Sequence, residues 1–179
     1  MTHDRPPAIL MRKPEPADLE ALFHQKNDPE VKRLLGGFSR PQSHTDLQQW
    51  LESHRTRPDE VLWSILSEET GRCLGHVGLY KVDPISRSAE LGIMIGDRSV
   101  WGLGIGRVAT LFAIRHAFFN ENLNRVSLTV LVSNDRAKRL YQKVGFVQEG
   151  LFRQAQFKDG KYVDVIAMAL LREEFVDVA

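Results

Sequence analysis

Three glycines at alternate positions constrain this chain more than any other feature: Trp101-Gly102-Leu103-Gly104-Ile105-Gly106-Arg107. Upstream, Arg87 to Ile95 reads as a strand. Downstream, residues 104–120 carry a helical pattern, with Val108, Leu111, Phe112, Arg115 and Phe119 near one face. A turn that lacks Cβ atoms at three places bends tightly and lets another group approach its backbone. The next helix opens with unpaired N–H groups and the positive end of its dipole. That combination suits a phosphate or pyrophosphate. Read alone, the stretch fits equally a glycine-rich turn with no ligand. It is not a Walker loop, because no Gly-Lys-Ser or Gly-Lys-Thr follows. It is not a dinucleotide fingerprint either: the glycines are evenly spaced, and hairpins precede them rather than a first βαβ unit.

Around this turn the hydrophobic period changes along the chain. Ile9-Leu10-Met11 predicts a short strand. Pro16 suits the first turn of a helix that carries Leu19, Leu22 and Phe23. Val31, Leu34 and Leu35 suggest a short helical piece ended by Gly36-Gly37. Ser43 to Asp46 precedes a helix bearing Leu47, Trp50 and Leu51. From residue 61 the pattern becomes strand-like. Val61 to Leu66 and Cys73 to Tyr80 flank a turn at Glu69-Thr70-Gly71, which predicts a hairpin. Val126 to Val132 is β-rich, Asp135 to Lys143 helical, and Phe146 to Leu151 and Val163 to Leu171 finish as strands. The fold class is therefore α+β: a mixed, mostly antiparallel, twisted sheet flanked by helices. No linker or repeat divides the chain, so residues 1–179 are expected to form a single domain.

Composition removes several functions. Lys and Arg number 24 against 23 Asp and Glu, too even for a nucleic-acid binder that relies on net charge. The single cysteine, Cys73, forbids an internal disulfide framework and a thiol-rich metal site. The histidines show no metal-binding spacing, so no metal is expected. No apolar run reaches the roughly 20 residues of a membrane span, and Met1 to Pro7 is polar. A cytoplasmic protein with no membrane partner is the expectation, and a homodimer is compatible with it.

Two blocks resemble the GNAT acetyltransferase superfamily. Gly92-Ile93-Met94-Ile95-Gly96-Asp97, followed by Trp101 to Gly106, is similar to its acyl-CoA motif. Val130 to Phe146, with Asn134, Ala137, Tyr141, Lys143 and Gly145-Phe146, looks like its second conserved segment. With the flanking elements the similarity covers nearly the whole chain. It is nearest the branch of ribosomal-protein N-terminal and spermidine acetyltransferases. Trp101 stands where the superfamily often has Gln or Arg, and Trp is familiar in that branch. The resemblance implies an acetyl-CoA-dependent N-acetyltransferase that needs no metal. In it, the amides of Gly102, Leu103, Gly104, Ile105, Gly106 and Arg107 hold the pyrophosphate. The backbone of Met94 and Ile95 pairs with the pantetheine arm, and Asn134 bonds that arm or its adenine side. Arg136, Lys138 and Arg139 are within reach of the 3′-phosphate or form a solvated helix face.

The chemistry then needs two more groups. A lysine-like amine has a pKa near 10, so only about one molecule in a thousand is neutral at pH 7. A base must take its proton, and an acid must protonate the leaving thiolate. Tyr141 matches the family tyrosine near the sulfur; otherwise it is a core tyrosine. Glu90 lies four residues before Met94, hence on the same strand face. It is either the base, acting through a water, or a solvated partner for Arg87. Cys73 has no His-Asp pattern beside it and is expected to be core rather than nucleophile. His44 and His54 flank a helix that would border the acceptor.

The acceptor itself is a primary amine, on a peptide N-terminus or a small molecule. Two other functions stay open: a catalytically silent acyl-CoA-binding module, and a transferase for longer acyl-CoAs. Residues 32–57 hold five cations, Lys32, Arg33, Arg40, Arg55 and Arg57, against Asp46 and Glu52. If these face the acceptor mouth, a polycation such as spermidine is disfavoured.

Overall fold

Alternating apolar residues in the middle of the chain give the sheet two different faces, and each face recruits its own helices. The computed structural model describes residues 6–37 and 40–177. In chain order the elements are β1 (Ile9–Arg12), α1 (Leu19–Asn27), α2 (Pro29–Leu34), α3 (His44–Thr56), β2 (Val61–Ser67) and β3 (Cys73–Asp83). They continue with β4 (Ser88–Ile95), α4 (Ile105–Arg115), β5 (Arg125–Leu131), α5 (Asp135–Val144), β6 (Val147–Lys158) and β7 (Lys161–Leu171). The seven strands form one sheet in the order β1-β2-β3-β4-β5-β7-β6. Every neighbouring pair is antiparallel except β4 and β5. The expected α+β architecture is what forms.

On one face, Ala89 and Leu91 of β4 and Val126, Leu128 and Val130 of β5 pack in a core shared with α4 and α5. On the other, Leu66, Cys73 and Met94 pack with Leu22, Val31 and Leu47 of α1, α2 and α3. A capping box at Ser43 and Asp46 starts α3 where the sequence placed it. Asp18, almost wholly buried, ties α1 to the sheet. It accepts hydrogen bonds from Arg12 at 2.8 and 2.9 Å and from Ser64 Oγ at 2.7 Å. Desolvation alone would raise its pKa, but these partners outweigh it and hold the carboxyl below its ordinary value.

Two sequence expectations need correction. The helix expected over 104–120 is α4 followed by one π-helical turn, His116–Asn120, and its buried face is Ile105, Ala109, Thr110, Ala113, Ile114, Ala117 and Phe118. The expected face of Leu111, Phe112 and Phe119 lies toward the rim, where Phe112 and Phe119 are exposed. The buried face mixes Ala109, Ala113 and Ala117 with the bulky Ile114 and Phe118 and lies beside the expected one on the helix. The strand expected to end at Leu151 runs on to Lys158 and turns through Asp159-Gly160, both with positive φ, into β7. Register shifts within this hairpin break its alternation and hide it from a period-two reading.

The feature that positions a site is the β4–β5 pair. These strands are joined only at Ser88–Glu90 with Arg125–Ser127, after which they part. Leu91 to Ile95 then face an open split rather than a neighbouring strand.

Candidate active site

A cavity of about 890 Å³ occupies this split. One end is the glycine turn. Gly102 and Gly104 take φ +85° and +86°, a left-handed conformation that β-carbon-bearing residues rarely adopt. Gly104 is the N-cap of α4 and offers no side chain. The Arg107 amide already bonds the Gly104 carbonyl at 3.0 Å, and that of Leu103 bonds Val100 at 3.4 Å. The amides of Gly102, Gly104, Ile105 and Gly106 have no protein acceptor among the described residues. Of the expected binding turn, all residues but Leu103 line the cavity.

Strand alternation decides which β4 groups face the split. The Gly96 amide donates to Leu74 of β3 at 2.9 Å, and Met94 pairs with His76. Two-residue periodicity therefore turns the polar backbone of Met94 and Gly92 toward β3, and that of Ile93 and Ile95 into the split. The Ile95 carbonyl is partly engaged: Trp101 Nε1 donates to it at 2.7 Å. The same indole lies under the Arg136 guanidinium, 4.0 Å from its carbon to the ring centre. Trp101 thus closes one wall and carries a cation beside the glycine turn, a role the sequence did not reveal. Arg107, Arg136, Arg139 and Lys143 all line the cavity, whereas Lys138 is tied to Asp135 at 2.7 Å.

Tyr141 sits two turns into α5, 8 % exposed, its ring edge-on to Phe146 at 5.8 Å. It lines the cavity, and its hydroxyl bonds no described residue. Burial pushes its pKa up to about 12, because the phenolate would lose solvation. Gly145 (φ +112°) ends α5; the amides of Gly145 and Phe146 bond the Tyr141 carbonyl at 3.1 and 2.9 Å and fix this turn.

At the opposite end, Glu90 lines the cavity with its side chain half exposed. Its partner is Lys81 Nζ at 2.9 Å, not Arg87, which bonds Asn122. Beside it, Arg125 and Glu149 form a two-pronged ion pair, and the guanidinium holds the Glu149 carboxyl below its ordinary pKa. No local pattern in the sequence signals this pair. Asn134 is spent inside the protein: Oδ1 caps α5 through Ala137 N at 3.1 Å, and Nδ2 donates to the Leu34 carbonyl at 3.0 Å.

Several expected candidates lie elsewhere. Burial raises the Cys73 thiol to about 11, which keeps it from being a ready thiolate. His44 stacks on Phe23, and His54 packs on Trp50; neither lines the cavity. None of Lys32, Arg33, Arg40, Arg55 and Arg57 lines it. Lys32 bonds Asn27, Arg33 pairs with Glu30, Arg55 with Glu52 and Arg57 with Glu60. The cationic acceptor mouth anticipated from the sequence therefore does not form around this cavity. Among the described residues, no helix is long and apolar enough to cross a membrane, and no group of three His, Cys, Asp or Glu could hold a metal.

A split between two parallel neighbours, closed at one end by a glycine turn before a helix and holding a tyrosine, defines a class. The sequence profile of the acetyltransferase (GNAT) domain matches residues 8–147. The chain belongs to the GNAT acetyltransferase family, whose class is acetyl-CoA-dependent N-acetyltransferase. It is 28% identical over 169 residues to the uncharacterized N-acetyltransferase p20 of Bacillus licheniformis, spanning 93% of this chain and 94% of that one. It is 27% identical to the spermidine N(1)-acetyltransferase of Vibrio cholerae, over 94% of this chain and 96% of the other. The crystal structure of the Vibrio cholerae spermidine N-acetyltransferase with CoA and spermine superposes with a TM-score of 0.87, covering 94% of this chain and 98% of that one.

Proposed function

We propose that the chain, acting as one acyltransferase unit, moves acetyl from acetyl-CoA directly to a primary amine in a ternary complex. The observation that carries this reading is the β4–β5 split: a single cavity runs from unpaired amides at the glycine turn, past Tyr141, to Glu90. The pyrophosphate lies on the amides of Gly102, Gly104, Ile105 and Gly106. The pantetheine amides lie along the split edge of β4, on Ile93 and the Ile95 N–H. The thioester then reaches Tyr141.

The neutral amine attacks the thioester carbon and forms the C–N bond. Its proton leaves through water toward Glu90, and the Ile93 N–H stabilises the oxyanion. Collapse breaks the C–S bond while the Tyr141 hydroxyl, as the acid, donates a hydrogen bond to the departing thiolate, whose proton is made up from solvent as CoA leaves. The N-acetylated amine and CoA are the products.

The carboxylates at one end of the cavity can receive a small cationic acceptor. Arg107, Arg136, Arg139 and Lys143 line the cavity, and at its Glu90 end Glu90 and Glu149 are balanced by Lys81 and Arg125. An entering ammonium group can exchange with Lys81 on the half-exposed Glu90 there. The likeness to a spermidine acetyltransferase supports the same choice, against the sequence expectation. The test is CoA release with spermidine, an acidic N-terminal peptide, an aminoglycoside and an amino sugar, each offered with acetyl-CoA and with longer acyl-CoAs. Saturable acetyl transfer, fastest to spermidine at low salt, is expected. Binding of acetyl-CoA without turnover on any amine would instead identify a silent binding module. Preference for a longer acyl-CoA would replace the donor.

A further inference from the structure

Strand alternation places Val77 and Leu79 of β3 in the core shared with α4, and Tyr80 on the other face, straight across from Glu90 of β4. Lys81 should then follow Leu79 toward that core, but Val82 is the residue that packs there. The register explains the exchange. It passes from Tyr80–Glu90 to Asp83–Ser88, three steps along β3 against two along β4, so β3 carries one extra residue at this point. Lys81 takes φ +51°, a left-handed backbone that disfavours a residue with a β-carbon. The bulge re-aims its side chain to the face of Glu90, where Nζ donates to Oε1 at 2.9 Å.

The other charges of this turn are engaged elsewhere. Asp83 accepts from the Ile85 and Ser86 amides at 2.8 and 3.0 Å and from Ser86 Oγ at 2.6 Å, and Arg87 bonds Asn122. Among the described residues, Lys81 is the one cation that pairs with Glu90. The two side chains are 74% and 51% exposed, so the pair opens without burying either charge. An exposed pair of this kind is held weakly and adds little to the fold. A disfavoured backbone angle and an extra residue are therefore hard to explain by stability. Glu90 lines the cavity and Lys81 does not, so the pair stands at its border.

We propose that Lys81 is an internal substitute for the acceptor's ammonium group: it holds Glu90 while the site is empty, and the amine must displace it. This rests on the acetyl-transfer reading above and makes Lys81 a specificity-determining residue, not a catalytic one. A basic aliphatic amine arrives as an ammonium ion and takes the place of Lys81 on Glu90. It is then held where its proton leaves through water. The Lys81 ammonium swings into solvent and keeps its own proton. An uncharged amine makes no such exchange, so the pair selects for basic acceptors.

Two variants separate charge from backbone. Asparagine tolerates left-handed backbone, so Lys81→Asn removes the charge and keeps the bulge, while Lys81→Arg keeps both. Cooperative melting checks that each is folded. The probe is spermidine, titrated calorimetrically into each protein saturated with CoA and then used in steady-state turnover with acetyl-CoA. Lys81→Asn should bind spermidine about three- to fivefold more tightly, the range an exposed ion pair supplies, and its KM for the amine should fall by the same factor. At saturating amine the wild type has displaced Lys81 as well, so kcat should stay within about twofold and the KM for acetyl-CoA should not move. Lys81→Arg should behave as wild type. Unchanged or weaker spermidine binding in a folded Lys81→Asn would overturn the proposal, as would an equal gain in Lys81→Arg. Proteins that all bind CoA while none binds spermidine would overturn it too. Tighter binding by Lys81→Asn with no turnover in any of the proteins would count against the acetyl-transfer reading alone, because the titration needs no reaction.

Discussion

Tyr141 shows how burial sets the limits of a side chain's chemistry. Its ordinary pKa near 10 is already above that of a thiol, and desolvation carries it to about 12. Complete proton transfer to a thiolate of pKa near 8.5 would be uphill by roughly 5 kcal/mol. In the proposed mechanism it therefore contributes a hydrogen bond that tightens as charge builds on sulfur, the thiolate gaining its proton from solvent as the product leaves. Tyr141→Phe keeps the ring against Phe146 and should lower kcat by about 10²-fold with CoA affinity unchanged. Because the phenol stays protonated up to about pH 12, any alkaline change in kcat below pH 11 belongs to another group and should persist in the residual activity of the variant. A pH series on both proteins checks this. Wild-type turnover in the variant would remove Tyr141 from the chemistry.

Between elements, α1 rests on α3 through an amine that does not welcome its charge. Lys26 Nζ lies 3.7 Å from the Trp50 ring centre, and burial lowers its pKa to about 8. Desolvation outweighs the attraction of the indole. Since the folded value is depressed from about 10.5, the neutral form's full contribution to stability is present above pH 10 and is lost as pH falls through 8. Lys26→Met should thus raise the Tm at pH 6–7, by roughly 1–3 kcal/mol in stability, with the gain vanishing above pH 10. Melting curves at pH 6.5 and 10.5 suffice; an equal gain at both would assign it to packing. Lys26 also marks what a sequence can and cannot reveal. Its burial follows from the angle between two helices, which no local pattern encodes. The strands β2 and β3 were legible because Trp63, Ile65 and Val77 alternate with residues of the other face. The glycine turn was legible because positive φ at Gly102 and Gly104 is a demand few residues meet. The stripe of α4 was misread because bulky residues fall on both faces, Ile114 and Phe118 buried and Phe112 and Phe119 exposed. The bond from Asn134 to Leu34 was invisible because the two stand 100 residues apart, and Arg125 and Glu149 meet only once β5, β7 and β6 are aligned.

At the scale of the molecule, one topological event generates the site. A single parallel pair in an otherwise antiparallel sheet diverges after Glu90, and everything proposed to act lies along that gap. Arg107 and Arg136 flank the glycine turn that closes it, and the Glu90–Lys81 and Glu149–Arg125 pairs lie where the two strands still touch. The proposed arrangement brings a polyanionic donor to the glycine turn and the amine to the paired carboxylates. The donor end supports the rest, and it can be tested without knowing the acceptor. Gly104→Val places a β-branched side chain at φ +86°, which should close the turn on its own amides while α4 and the core remain. Calorimetric titration of acetyl-CoA into wild type and variant is the measurement. The wild type should bind one molecule per chain, and a variant that still melts cooperatively should bind it about tenfold more weakly or worse. Equal affinity in a folded Gly104→Val would contradict the placement of the donor in the β4–β5 split.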